Sequence, residues 1–167
     1  MPNMGQILAK HNSKIRNGPT KSTPPGCNCR GGPPACPVGG QCLSECVVYQ
    51  ASVKRTDLNT TETYTGLTSR KFKTRFNEHT ADMRDSRREG TGLSNYVRKL
   101  KESNTPFEIK WKLVAKCPPF NPSTKTCKLC LREKYLIMFR PEGATLNDKS
   151  EFFSTCRHRL KKLLGNS

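Results

Sequence analysis

Apolar positions recur along the 167-residue chain with two distinct periods, and the switches between them mark the elements. At the start, Met4, Ile7, Leu8, His11 and Ile15 fall at helical spacing. They predict a short amphipathic helix that docks on something, since alone it would be marginal. Residues 17–26 then hold Pro19, Pro24 and Pro25 among Gly, Ser, Thr and Lys, the composition of a linker. Two runs of β-branched and aromatic residues follow, 46–53 and 60–67, parted by Asp57 and Asn59, which predicts an antiparallel hairpin. Phe72, Arg75, Phe76 and His79 share one face of a helix over about 69–84, and Leu93, Tyr96, Val97 and Leu100 mark a second helix. A third strand is expected over 107–115. Pro118, Pro119 and Pro122 break the chain before a helix over 128–139, with Leu129, Tyr135, Leu136 and Met138 as its apolar face. Residues 144–147 read as a short strand or turn, and 158–164 as a basic final helix. The order ββααβα predicts an α+β fold, a three-stranded antiparallel sheet flanked by helices.

Three regions emerge from this pattern: 1–26 as helix and linker, 27–45 as a cysteine-rich segment, and 46–167 as the principal domain. Lys and Arg total 30 against 13 Asp and Glu, a net +17 at pH 7 with a pI near 9.8. Such an excess repels itself unless a polyanion is nearby, so nucleic acid is the expected partner and a merely solvated basic surface the bland alternative. No stretch approaches the roughly 18 to 20 apolar residues of a membrane-spanning helix, so no membrane partner is expected. The polar start lacks the apolar core of a secretion signal, which points to a reducing compartment.

There, nine cysteines read as metal ligands before disulfides. Cys27, Cys29, Cys36 and Cys42 supply four thiolates within 16 residues of chain rich in glycine and proline, enough for a closed tetrahedral zinc site. A second set, Cys127, Cys130, Cys156 and His158, joins the start of the late helix to the carboxy-terminal tail and predicts a second zinc. Cys46 and Cys117 are left over, and either could replace a named ligand. Both zinc sites are expected to be structural, because four protein ligands leave no open position for water or substrate.

Two tyrosine motifs sit on the consecutive predicted strands: Val47-Val48-Tyr49 and Tyr64-Thr65-Gly66. They resemble the two signature elements of the GIY-YIG endonucleases, the first with Val-Val in place of Gly-Ile. Downstream, Arg75 and His79 on the next helix, Glu133 in the late helix and Asn147 closing the 141–147 turn resemble the family's Arg, His, Glu and Asn positions, in order. The resemblance is closest to the endonuclease domain of Penelope-like retroelements, because Cys27-Asn28-Cys29-Arg30, the Cys127 and Cys130 pair ahead of Glu133, and Cys156-Arg157-His158 also match that subgroup. It spans roughly residues 4–160. It implies a GIY-YIG-like domain that nicks DNA, a nuclear place of action, and a leading helix that is the tail of a reverse-transcriptase region of the same polyprotein. DNA is the implied substrate, with element RNA a further partner.

Phosphodiester hydrolysis needs a deprotonated oxygen in line, charge neutralisation on the phosphate and relief for the leaving alkoxide. Glu133 could hold one Mg²⁺ or Mn²⁺, a hard cation that prefers oxygen. Arg75 offers a permanently charged fork for two phosphate oxygens. Tyr49 is the candidate for activating water, provided nearby cations lower its phenol, with Tyr64 and His79 as alternative or assisting bases. Asn147 is expected to buttress the site by hydrogen bonding. Arg84, Arg87, Arg88, Arg157, Arg159, Lys161 and Lys162 are expected phosphate contacts. Each residue has a duller reading alone: strand tyrosines pack hairpins, and a helix-starting glutamate complements a dipole. The rival function is a zinc-stabilised nucleic-acid-binding module without chemistry.

Overall fold

The computed structural model describes residues 26–124 and 126–147. The expected amino-terminal helix, most of its linker and the basic final helix lie outside the described residues. Within them the order is β1 (Val47–Arg55), β2 (Thr61–Thr68), α1 (Phe72–Asp82), α2 (Gly92–Glu102), β3 (Phe107–Lys116) and α3 (Lys128–Phe139), with single 3-10 turns at Pro33–Ala35 and Pro141–Gly143. This is an α+β arrangement of one three-stranded antiparallel sheet and three helices. Residues 144–147 form a turn. Among the described residues no helix is long and apolar enough to cross a membrane.

The strand order is β2-β1-β3, with both pairings antiparallel. β1 takes the centre because its side chains suit burial on both faces: Val47, Val48, Tyr49, Gln50, Ala51 and Val53 are all buried. β3 instead alternates, with Phe107, Ile109, Trp111 and Leu113 turned inward and Glu108, Lys110 and Lys112 exposed, as an edge strand with one solvated face requires. The β1–β3 register shifts by one residue between Val48 and Tyr49. That bulge sits beside the first motif tyrosine.

Each face of the sheet carries its own core. On one, Tyr49, Ala51, Val53 and Tyr64 pack against Phe72 of α1 and Leu93, Val97 and Leu100 of α2. Trp111 closes this side, its ring 5.3 to 6.0 Å from those of Phe76, His79, Phe72 and Tyr49. On the other face, Val48 and Leu67 pack against Leu129, Cys130 and Leu136 of α3. The buried stripe of α3 is Leu129, Cys130, Glu133, Leu136 and Ile137. Tyr135 and Met138, expected on that stripe from the sequence, are 45% and 38% exposed. At 100° per residue a stripe centred on Glu133 and Leu136/Ile137 places 135 and 138 on the opposite side of the helix, so it turns its glutamate inward and two apolar side chains outward.

The cysteine-rich segment is built into the domain's packing. No side chain caps α1; its Phe72 and Lys73 N–H groups donate instead to the carbonyls of Ser44 (2.9 Å) and Cys42 (2.7 Å). Lys73 Nζ reaches back to Asn28 Oδ1 at 2.7 Å. Cys36, Val38 and Cys42 belong to the same core as Tyr49 and Phe72. The start of the helix bearing Arg75 and His79 is thus set by the backbone of a cysteine.

Candidate active site

Tyr49 and His79 meet across the core. The Tyr49 hydroxyl and His79 Nε2 are 2.7 Å apart, and Arg75 Nε donates to the same phenol oxygen at 3.2 Å. Both rings are fully buried. The arrangement has a simple geometric origin: Tyr49 points from the central strand toward α1, and residues 75 and 79, four apart, lie on the helix face that looks back at it. With Arg75 Nε–H occupying one side of the oxygen, the phenol O–H is directed at Nε2, which places the imidazole proton on Nδ1. That Nδ1 is buried with no hydrogen-bond partner among the described residues.

Gly66 makes the pairing of tyrosines possible. It lies opposite Tyr49 in the β1–β2 register, and a Cβ there would stand 2.5 Å from the Tyr49 hydroxyl oxygen and 2.9 Å from Tyr64 Cε1. A side chain at this position would displace one phenol or the other.

Above the buried pair opens a cleft of about 790 Å³ whose lining includes Tyr64, Arg75, Glu133 and Asn147, with Asp82 and Glu89 at its acidic margin. Four sequence-predicted residues from β2, α1, α3 and the last turn therefore reach one space. Tyr49 and His79 lie beneath it and are not part of its wall. Asn147 is held in place by pairing its side-chain amide with the edge strand: Thr65 N–H donates to Asn147 Oδ1 at 2.8 Å, and Asn147 Nδ2 donates to the Thr65 carbonyl at 2.7 Å. Leu146 N–H adds a bond to the Thr63 carbonyl at 3.0 Å. These bonds tie the last turn to β2.

Two expectations change in detail. The cationic neighbour does not bring the Tyr49 phenol down: burial pushes it above the ordinary tyrosine range, Tyr64 adds to the rise, and Arg75 does not offset them. Nor is the Arg75 fork wholly available to a phosphate. Its Nε is committed to Tyr49 and its Nη1 to Glu78 at 2.9 Å, while Nη2 makes no hydrogen bond among the described residues. Glu78, which also pairs with Arg70 at 2.6 Å, was not legible in the sequence. Its place three residues after Arg75 was the only signal.

Burial, followed by the charge of Arg75, holds His79 down to about 3 from its ordinary 6.5. Between these values the unfolded imidazole takes a proton and the folded one does not, so stability falls as pH drops from about 6.5 toward 3. By the low end the loss attributable to this residue should approach about 4 kcal/mol. Urea unfolding across that range is expected to show a shallower pH dependence for His79→Gln than for the wild type. Parallel curves would mean that the imidazole titrates normally.

The cysteine cluster is a second, separate centre. The sulfurs of Cys27, Cys29, Cys36 and Cys42 all lie within 4.8 Å of one another. Cys29 Sγ and Cys42 Sγ are 3.6 Å apart, near the about 3.8 Å edge of a tetrahedron with metal–sulfur bonds of about 2.3 Å. Glycines shape the loop, with Gly39 at φ 60° and Gly40 at φ 91° turning the chain between the third and fourth cysteines. Crowding shows in the acidities. Cys29 is pushed up to about 12, first by its bond with Cys27 and then by burial. Burial also opposes ionisation of Cys36, but the backbone N–H groups of Val38 and Gly40 outweigh it and bring that thiol to about 6. The cluster could hold a metal such as zinc, with all four positions filled by protein.

Of the second cysteine set, Cys127 and Cys130 are buried at the start of α3; Cys156 and His158 lie outside the described residues. Cys46 and Cys117 face each other where β1 and β3 begin and end, joined by a 2.9 Å backbone bond from Cys117 N–H to the Cys46 carbonyl, and both pack against the Cys127 and Cys130 cluster. Burial raises both of their thiols above the ordinary range. Arg84, Arg87 and Arg88 are exposed in the stretch after α1. Arg87 and Arg88 pair with Asp85 and Asp82, and Arg98 gathers the carbonyls of Asp82, Asp85 and Arg88. Arg157, Arg159, Lys161 and Lys162 lie outside the described residues.

No family model matches this chain, and neither a curated protein nor a solved structure matches it. Its function is therefore inferred from the geometry and the motif resemblance.

Proposed function

We propose that this chain is a metal-dependent DNA endonuclease of the GIY-YIG kind that nicks one strand by phosphodiester hydrolysis. The observation that supports it most is the meeting of Tyr64, Arg75, Glu133 and Asn147 in one cleft above the hydrogen-bonded Tyr49 and His79. These six residues are spread over about a hundred positions, and packing alone gives no reason for a buried glutamate and a half-buried arginine to share a wall with a phenol. A net +17 supplies the long-range attraction to DNA.

Within this reading Arg75 spreads positive charge over the phosphate through Nη2 while its other nitrogens stay fixed by Tyr49 and Glu78. Glu133, buried at 8% exposure, presents oxygen donors suited to Mg²⁺ or Mn²⁺. Such an ion, when bound, would neutralise the phosphate and relieve the leaving oxygen. Tyr64 stands at the cleft wall and orients the attacking water. Tyr49, its phenol held in the protonated form, donates to His79 Nε2 and accepts from Arg75 Nε–H, so within this reading the buried pair positions the guanidinium from beneath the cleft. Asn147 fixes β2 and hence Tyr64. The product is a 3′ hydroxyl, a primer for a reverse transcriptase of the same polyprotein, and the setting is a nuclear one. Zinc in the first cysteine cluster, and in a second made by Cys127, Cys130, Cys156 and His158, has a structural part.

The test is supercoiled plasmid incubated with the protein and Mg²⁺ or Mn²⁺. Open-circular DNA bearing extendable 3′ hydroxyls is expected, with none when the divalent ion is withheld. Binding without any conversion, under every divalent ion tried, would leave the non-catalytic binding module as the answer.

A further inference from the structure

We infer that the other face of the sheet carries a groove for single-stranded nucleic acid, formed where α3 leaves part of that face open. Gln50, Ser52, Thr63 and Lys112 make its floor and Arg132 and Tyr135 its wall, around a cavity of about 470 Å³. Nothing in the hydrolytic reading assigns a role to these residues. The groove would hold a strand whether or not the cleft on the opposite face cuts one.

Its chemistry is that of an unpaired strand. Tyr135 and Phe139 are 45% and 65% exposed, with ring centroids 5.1 Å apart, and Arg132 lies 5.6 Å over the Tyr135 ring. Exposed rings side by side, one already stacked by a guanidinium, are a platform on which free bases stack and on which the paired bases of a duplex cannot. Lys112, Arg132 and Arg140 all line the groove, and none is in an ion pair among the described residues; Glu142 is the one carboxylate beside them. Lys54 and Lys110 continue the same face outward, since alternate positions of β1 and β3 share a side, and both are exposed. Cations around the groove, with Tyr135 on its wall and Phe139 exposed beside Tyr135, place phosphates and bases in separate tracks. The chain's own residues 148–167 are a poor occupant, because they carry five Lys and Arg against two acids and would be repelled.

The experiment measures binding of a fluorescent 15-nucleotide oligothymidylate and of a 15-base-pair duplex by anisotropy, with the full chain. Tyr135→Ala/Phe139→Ala is expected to weaken oligothymidylate binding about tenfold or more and duplex binding less than twofold, with an unchanged circular dichroism spectrum. As a second probe that removes no packing, Lys112→Gln/Arg140→Gln should reduce the salt dependence of single-strand binding by about 0.7 in log–log slope for each phosphate no longer neutralised. Wild-type affinity and slope in both variants would overturn the inference. So would equal losses on duplex and single strand, or a change in sedimentation showing that the aromatic pair holds two copies of the chain together.

Discussion

Arg75→Ala is expected to reduce plasmid nicking by about 10²- to 10³-fold while leaving the affinity for DNA within a small factor of the wild type. The guanidinium is one charge among 30 Lys and Arg, so the overall attraction to DNA hardly depends on it. Its local part is much larger: it fixes the Tyr49 oxygen, holds Glu78 and lines the cleft. Arg75→Lys should rescue little, because one ammonium cannot replace a planar group that makes two directed contacts and has a third to offer. Glu133→Gln should be at least as damaging and should also abolish any response to divalent-ion concentration, since an amide keeps the shape of the side chain and loses its charge. Nicking at wild-type rate in Arg75→Ala or Glu133→Gln would remove the cleft from the chemistry. A matched loss of plasmid binding in both would mean instead that the cleft only grips DNA.

The cysteine cluster should matter as much to the fold as Arg75 does to the reaction. Cys36→Ala/Cys42→Ala is expected to lower bound zinc by one ion per chain in native mass spectrometry and to unfold the first turn of α1. The segment from 26 to 45 has three core residues, Cys36, Val38 and Cys42, and two of these are proposed ligands. Without the metal, little else would order it, and apparent binding energies for structural zinc in small peptides, about 10 to 16 kcal/mol, exceed the total stability of many domains. The Cys42 and Ser44 carbonyls would leave the α1 N–H groups they now accept from, and Arg75 and His79 would shift with the helix. Loss of zinc should therefore carry loss of nicking with it. Unchanged thermal unfolding after the zinc is gone would show that the segment is held by packing alone.

The elements were legible because their periods are clean. β3 alternates almost without exception, and the run from 46 to 55 has the β-branched content of a strand buried on both sides. The position of β1 between β2 and β3 was not foretold, since antiparallel neighbours in sequence allow either edge. The buried stripe of α3 departs from its apolar pattern for a definite reason: reading Tyr135 and Met138 as core assumes that apolar residues turn inward, whereas the helix buries Glu133 and exposes those two. A charged residue on a buried stripe is where pattern fails at a candidate site. Likewise the motif could nominate Tyr49, Arg75 and His79, but not the hydrogen bonds that join them, nor the rise in the Tyr49 phenol, which depends on how completely the core closes over it.

The turn at 144–147 has one more effect, on the margin of the sheet. β2 is an outer strand, and its unpaired peptide groups would otherwise invite a strand from a neighbouring molecule. Thr145 Oγ1 accepts from Thr63 N–H at 2.8 Å, while Leu146 and Asn147 occupy the Thr63 and Thr65 peptides. A few residues that look like a tether for the cleft thereby also seal the raw border of the sheet, so any lesion that loosens the turn would be felt first as clumping, before the domain lost its shape.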